Sequence, residues 1–238
     1  MRKFWNWARD GDTGQRVLRM DGVIADETWF GDETTPKAFR ADLYAGSGPI
    51  ILWLNSPGGD CFAASEIYTM LMEYPGDVTV KIDALAASAA SVIAMAGTQV
   101  LMAPTATMMI HNPLTVAIGD SEEMKKAIRM LTEIKEALIT AYEIKTGLPR
   151  AKISALMDAE TWLSAGKAVE MKFADGVLYA STQAESDEQA PAAQASFMFS
   201  RMAAANALMR KLQPKATEEP SPTGTPVADL DKRLALLM

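Results

Sequence analysis

Between residues 15 and 180, short apolar runs alternate with amphipathic stretches, the rhythm of a mixed α/β domain. Residues 50–54 form a continuous apolar run that ends in Asn55-Ser56-Pro57-Gly58-Gly59, and behind it Ala63, Ile67, Met70, Leu71 and Tyr74 recur at helical spacing. The order there is strand, glycine turn, helix. Pro75-Gly76-Asp77 breaks that helix, residues 78–82 alternate as a strand, and residues 86–96 read as a helix of small side chains. Strands at 99–102 and 107–110 follow. Successive β-α-β steps of this kind imply right-handed crossovers.

Residues 121–145 place Met124, Ile128, Leu131, Ile134, Leu138 and Tyr142 on one stripe, with Asp120 and Glu123 able to cap the start and Gly147 and Pro149 closing the end. The pattern predicts one helix of roughly seven turns. Such a helix outreaches a single small core, so either part of it packs on another subunit or one end is solvated. Shorter helices are expected over 151–157 and 165–172, then a turn at Asp175-Gly176 and a short strand.

The character changes near residue 181. Residues 183–194 are polar and alanine-rich, and 218–226 form a proline, serine and threonine linker. Between and beyond them, 197–212 and 227–238 could form amphipathic helices that fold on binding. The reading is an N-terminal segment (1–14), one domain (15–180) and a flexible tail (181–238).

Composition narrows the chemistry. The 238 residues are 49% apolar, enough for one sizeable core. Twenty-three basic residues against 30 acidic ones give a net charge of −7, the wrong sign for gripping phosphate backbones, so no nucleic-acid partner is expected. A single cysteine, Cys61, and a single histidine, His111, cannot form an intramolecular disulfide or a histidine/cysteine zinc cage, and no metal or cofactor is expected. The first dozen residues lack the apolar stretch of a secretory signal, and residues 84–97 are too short and too rich in alanine and serine to span a bilayer. A cytoplasmic protein without a membrane partner is expected.

Four places could carry chemistry. His111 follows an apolar strand and precedes Asn112-Pro113, so it stands where the chain must leave the sheet; by itself it is more readily a hydrogen-bonded structural histidine. Ser88, within Ala86-Ala87-Ser88-Ala89-Ala90, lies at a helix start, where backbone N–H groups favour negative charge and small neighbours admit a substrate carbonyl; otherwise it caps or packs. Ser91, one turn on, reads as a packing residue. The two glycines after the first strand can turn N–H groups toward a bound oxygen, or simply make a strand-to-helix turn. Glu160, beside Trp162 and Leu163, could be held near a histidine; Asp158 competes with it, and either could be a cap or a surface charge.

In this order and spacing, Asn55-Ser56-Pro57-Gly58-Gly59, Ala86-Ala87-Ser88, Met109-Ile110-His111-Asn112-Pro113, Trp162-Leu163-Ser164-Ala165 and Ala168-Val169-Glu170 resemble the Clp protease proteolytic subunit family of serine peptidases, over roughly residues 15–180. The chain looks most similar to the phage and prophage branch associated with head maturation. The resemblance implies a crotonase-like (ClpP-type) α/β fold of repeated β-β-α units, with residues 121–145 as a protruding handle helix. It makes Ser88 the nucleophile, His111 the general base and Glu160 the acidic member, with the N–H groups of Gly59 and Ala89 lining the oxyanion hole. It also implies a ring-forming homo-oligomer, a protein or peptide substrate such as a phage coat or scaffold protein, and a place for an AAA+ ATPase partner. Three positions depart from better-known members: Glu160 stands for aspartate, Ala84 for a glycine, and Ala159 for an arginine that helps join two heptameric rings.

The leading expectation is therefore a serine endopeptidase working through an acyl-enzyme in a bacterial or phage-infected cytoplasm. Alternatives are a bacterial ATP-dependent Clp proteolytic subunit in protein quality control, a crotonase-type acyl-CoA enzyme that uses a backbone oxyanion hole without a Ser/His pair, and a capsid-assembly scaffold acting through its tail.

Overall fold

A computed structural model of the chain describes residues 8–9, 15–27 and 33–179. The tail from 181 and most of the N-terminal segment, with the amphipathic helices expected there, lie outside these residues. The elements in chain order are β1 (Ala8–Arg9), β2 (Arg16–Asp21), α1 (Pro36–Leu43), β3 (Ile50–Ser56), α2 (Cys61–Met72), β4 (Val78–Ala87) and α3 (Ala89–Ala94). After them come β5 (Gln99–Met102), β6 (Thr107–Ile110), α4 (Ser121–Thr146), α5 (Arg150–Asp158), β7 (Thr161–Ser164), α6 (Ala165–Glu170) and β8 (Gly176–Val177).

Strands β2, β3, β4, β5 and β8 run parallel in that order, with β1 antiparallel on the edge. The period-two rule sorts the side chains. Leu18 and Met20, Leu52 and Leu54, Val80 and Ile82, and Val100 and Met102 join the buried core with Ile67 and Leu71 of α2 and Ile93 of α3. The alternate residues face the other way: Arg19 and Lys81 stand 5.6 and 5.4 Å from the ring centre of Trp53, and Arg19 pairs with Asp83 at 2.7 Å.

Ten-residue β4 is the spine of the sheet. Its first half pairs with β5 (Thr79↔Gln99 to Ile82↔Met102) and its last residues with β6 (Leu85↔Thr107 to Ala87↔Met109), so the sheet forks there. The helix expected from residue 86 is corrected by this pairing: the chain stays extended to Ala87, and α3 begins only at Ala89. Alanine's helical preference yields because residues 85–87 are held by β6 on one side and by the Ser56↔Ala86 pairing on the other. Four elements had no expectation attached: β1, β2, α1, whose start is capped by Thr35, and β7, which pairs antiparallel with β6.

Helix α4 runs 26 residues. Asp120 Oδ1 accepts from the Glu122 and Glu123 amides at 3.0 and 3.1 Å, and Gly147 ends the helix in the left-handed conformation (φ 66°), as the capping signals predict. Its C-terminal half is buried through Leu138, Ile139, Ala141 and Tyr142, the last edge-on to Phe173. Its N-terminal half leaves Ile128 63% exposed. Among the described residues no helix is long and apolar enough to cross a membrane.

Candidate active site

The parallel pairing of β4 with β6 brings two strand ends side by side. Ala87 lies opposite Met109, and the Ser88 amide donates to the Met109 carbonyl at 2.9 Å. Ser88 and His111 therefore leave the sheet at the same edge, the carboxyl ends of parallel strands where sites tend to form. There the imidazole Nε2 lies 2.7 Å from Ser88 Oγ. His111 is half-buried, and so is Ser88.

Ser88 adopts φ 56° and ψ −126°, a conformation that costs a non-glycine residue about 1–3 kcal/mol. The turn is forced by its surroundings: β4 must end, α3 must begin one residue later, and the Ser88 amide is tied to β6. Ser88 also occupies the N-cap position of α3 without a side-chain capping bond, which leaves its hydroxyl to the histidine. Ser91, fully buried, donates from its amide (3.0 Å) and its hydroxyl (2.6 Å) to the Ser88 carbonyl, and its hydroxyl meets Tyr142 at 2.8 Å. The packing role expected for Ser91 is thus accompanied by a polar one.

The glycine turn lies against this corner. A Cβ on Gly58 (φ 94°) would stand 2.6 Å from the Ala87 carbonyl oxygen, 2.7 Å from Ser88 Cβ and 2.9 Å from the Ala89 nitrogen, so only glycine fits. Residues 22–24 strap the turn: Gly22 N–H donates to Asn55 O, Ile24 N–H to Gly58 O, and Asp60 N–H to Ile24 O. In that parallel bridge the N–H of Gly59 points away from Ile24. Ser56 Oγ closes the loop, donating to Gly22 O at 2.6 Å and accepting from the Gly58 amide at 3.1 Å. The turn that carries the Gly59 amide thus packs on the backbone of Ser88, and the Ala89 amide is the next one along the chain.

The two acids differ in their surroundings. Strand β7 pairs with β6 from Thr107↔Ser164 to Ile110↔Thr161, so Glu160 and His111 are the residues next beyond the end of that ladder. Glu160 sits in a left-handed turn (φ 48°) between α5 and β7 and is half-buried. Asp158 is elsewhere engaged: its Oδ1 accepts from Asn112 Nδ2 at 2.8 Å and from Lys135 Nζ at 2.7 Å. Lys135 first, then Asn112, hold the Asp158 carboxyl below the usual range. Ala84 is an exposed residue within β4, and Ala159 caps the end of α5.

Asn112, Lys135 and Tyr142 around this site were not singled out from the sequence for any role in it, and Gly58 only as one of the two glycines of the turn. The paired glycines carried a signal for Gly58, since only one of them is needed to turn a chain. Nothing in the sequence links Lys135 to Asp158, 23 residues away.

A model of the Clp protease family matches residues 33–181. The chain belongs to the Clp protease family. An ATP-dependent Clp protease proteolytic subunit of Porphyromonas gingivalis is 31% identical over 167 residues, covering 68% of this chain and 75% of that protein. Its counterpart in Bacteroides fragilis is 30% identical over 167 residues (68% and 81%), and subunit 1 of Chlamydia muridarum is 28% identical over 151 residues (62% and 79%). Membership in the Clp protease family places the chain among the serine peptidases, hydrolases of the peptide bond; members of the Clp family form ring oligomers and work with AAA+ ATPases.

Proposed function

We propose that Ser88, His111 and Glu160 form the catalytic triad of a serine endopeptidase, with the Gly59 and Ala89 amides as its oxyanion hole. The observation that carries this is the 2.7 Å approach of His111 Nε2 to Ser88 Oγ. At that distance the imidazole accepts the hydroxyl proton as Oγ attacks the scissile carbonyl carbon. The carbonyl oxygen becomes an oxyanion facing the two amide donors, each worth about 3 kcal/mol of barrier. Collapse expels the amine, which takes the proton back from His111, and leaves an ester on Ser88. Water then enters, gives its proton to Nε2 and attacks the ester; as the second tetrahedral intermediate collapses, His111 Nε2 returns the proton to the departing Ser88 Oγ and the acid is released. With Nε2 engaged by Ser88, Nδ1 is the nitrogen on which Glu160 acts, fixing the tautomer and stabilising the imidazolium.

Under this reading the fold is of the crotonase-like type, α4 is the handle helix, and its exposed N-terminal half packs between subunits of a ring. The substrate is a protein in the bacterial or phage-infected cytoplasm, and we assign the chain to the phage and prophage branch that processes coat or scaffold protein. Alanine at 159 in place of the ring-joining arginine, and the tail beyond the matched residues, favour that branch over a housekeeping subunit. The names of the relatives favour the second reading, an ATP-dependent proteolytic subunit. Cleavage of a coat or scaffold protein from the same genome without ATPase or nucleotide separates the two. The triad itself is tested by a fluorophosphonate probe: wild type acquires one adduct on Ser88, and Ser88→Ala acquires none. An unlabelled, folded wild type would overturn the peptidase reading.

A further inference from the structure

We propose that Ser91 and Tyr142 are positioning residues that aim the Ala89 amide into the oxyanion hole. The proposal rests on the peptidase reading above and deepens it.

Ser91 has one hydroxyl proton, and the Ser88 carbonyl 2.6 Å away can only accept, so that proton is committed. Tyr142 must therefore be the donor in its 2.8 Å contact with Ser91 Oγ. The result is a directed chain, Tyr142 O–H to Ser91 Oγ, Ser91 O–H to Ser88 O, in which each bond polarises the next. Both side chains are buried, Ser91 fully and Tyr142 to within 1%. Burial keeps the phenol protonated by raising its pKa, so it remains a donor throughout the pH range of peptidase assays.

The end of this chain matters because of where the Ser88 carbonyl lies. It belongs to the same peptide plane as the Ala89 N–H, and in a planar trans peptide the two point in opposite directions. Pulling the Ser88 oxygen toward Ser91 and α4 aims the Ala89 hydrogen the other way, out over the nucleophile. Ser88 has φ 56°, a conformation that needs outside support. Three bonds supply it: the amide to Met109, and the carbonyl to the Ser91 amide and hydroxyl. The amide of Ser91 is covalently local and any residue could provide it. The hydroxyl and its tyrosine anchor are side-chain choices, and the anchor comes from a helix 51 residues away in sequence.

The test uses the full-length chain with Tyr142→Phe, Ser91→Ala and the double variant, each reacted with excess fluorophosphonate and followed by intact mass. Adduct stoichiometry counts correctly folded sites, and the rate constant reads the aim of the oxyanion donor. Expected is full stoichiometry with a rate about ten-fold lower in each single variant, and a double variant no slower than the worse single, because the two act as one chain. Steady-state cleavage of a peptide should show the same loss in kcat with KM within about two-fold. Tyr142→Phe keeps the ring against Phe173, so it carries the test if Ser91→Ala fails to fold. A wild-type rate in Tyr142→Phe, a loss confined to KM, or reduced stoichiometry at an unchanged rate would overturn the proposal. A folded wild type that takes no adduct would instead overturn the peptidase reading, and the proposal with it.

Discussion

Asn112, the residue after the candidate base, donates from Nδ2 to Asp158 Oδ1 at 2.8 Å, and Lys135 occupies the same oxygen at 2.7 Å. Asp158 therefore anchors the loop that leaves His111, whereas Glu160 adjoins the end of the β6–β7 ladder from which His111 emerges. Glu160→Gln should slow acylation by about 100-fold or more, since an amide neither fixes the useful tautomer nor stabilises the imidazolium. Asp158→Asn should cost less than about ten-fold, as a positioning change. Stopped-flow burst kinetics with an activated ester rank the two, and the reverse order would hand the acid's role to Asp158.

The same anchor has a pH signature. The folded Asp158 carboxyl titrates below its ordinary value of about 3.9, chiefly because Lys135 bonds its ionised form. A depressed folded pKa contributes stability that is present above the unfolded value and is lost as pH falls through the folded one. Wild type should thus melt above Asp158→Asn at neutral pH, and the gap should close as pH falls below about 4. Thermal melts of the two proteins from pH 7 down to 3 check this. A gap that widens toward acid would contradict the assigned sign.

Gly58 and Gly48 both have positive φ, 94° and 89°, but differ in surroundings. A Cβ at Gly48 meets nothing within 4 Å, so Gly48→Ala should cost only conformational strain, about 1–2 kcal/mol. Gly58→Ala adds a collision with the Ala87 and Ala89 backbone and should cost about 3 kcal/mol or more, with loss of Ser88 reactivity. Urea unfolding and probe labelling of both variants measure the difference, and equal effects would show that the close approach does not matter.

Loop and helix share one shallow depression. Ala117, Ile118, Ala127 and Met130 line it together with Glu123 and Lys126, and Ile118 is 92% and Ile128 63% exposed. If α4 packs between subunits, Ile128→Glu should lower the assembly size while leaving the protomer folded, because the side chain is outside the protomer's core. Analytical ultracentrifugation with circular dichroism reads both, and an unchanged sedimentation coefficient would place the interface elsewhere.

The periodic elements were legible because their burial is one-sided: the stripe of α4 and its Asp120 and Gly147 ends follow the capping and spacing rules, and β5 and β6 fall where the apolar runs stand. The end of β4 was not legible. Residues 86–87 read as the beginning of an alanine helix and become strand because β3 and β6 lie on either side. That one correction matters for chemistry, since it moves Ser88 from the first turn of the expected helix to the strained corner before it. β7 escaped notice because four residues with only Leu163 buried carry no alternation to read. The Ser88 and His111 pair could be suggested by motif order, but its closeness follows from a strand register that no local pattern encodes. The Ser91–Tyr142 bond was invisible for the same reason.

Because Ser88 and His111 issue from neighbouring strands of one sheet, their separation is fixed by the ladder between β4 and β6, and no surface segment has to hold it. The stretch that follows His111, largely exposed from Leu114 to Asp120, can therefore be lengthened, shortened or recoloured without disturbing the reacting atoms. Under the proposed reading, the exposed segment is free to drift in length and chemistry while the spacing of hydroxyl and imidazole stays where the sheet puts it.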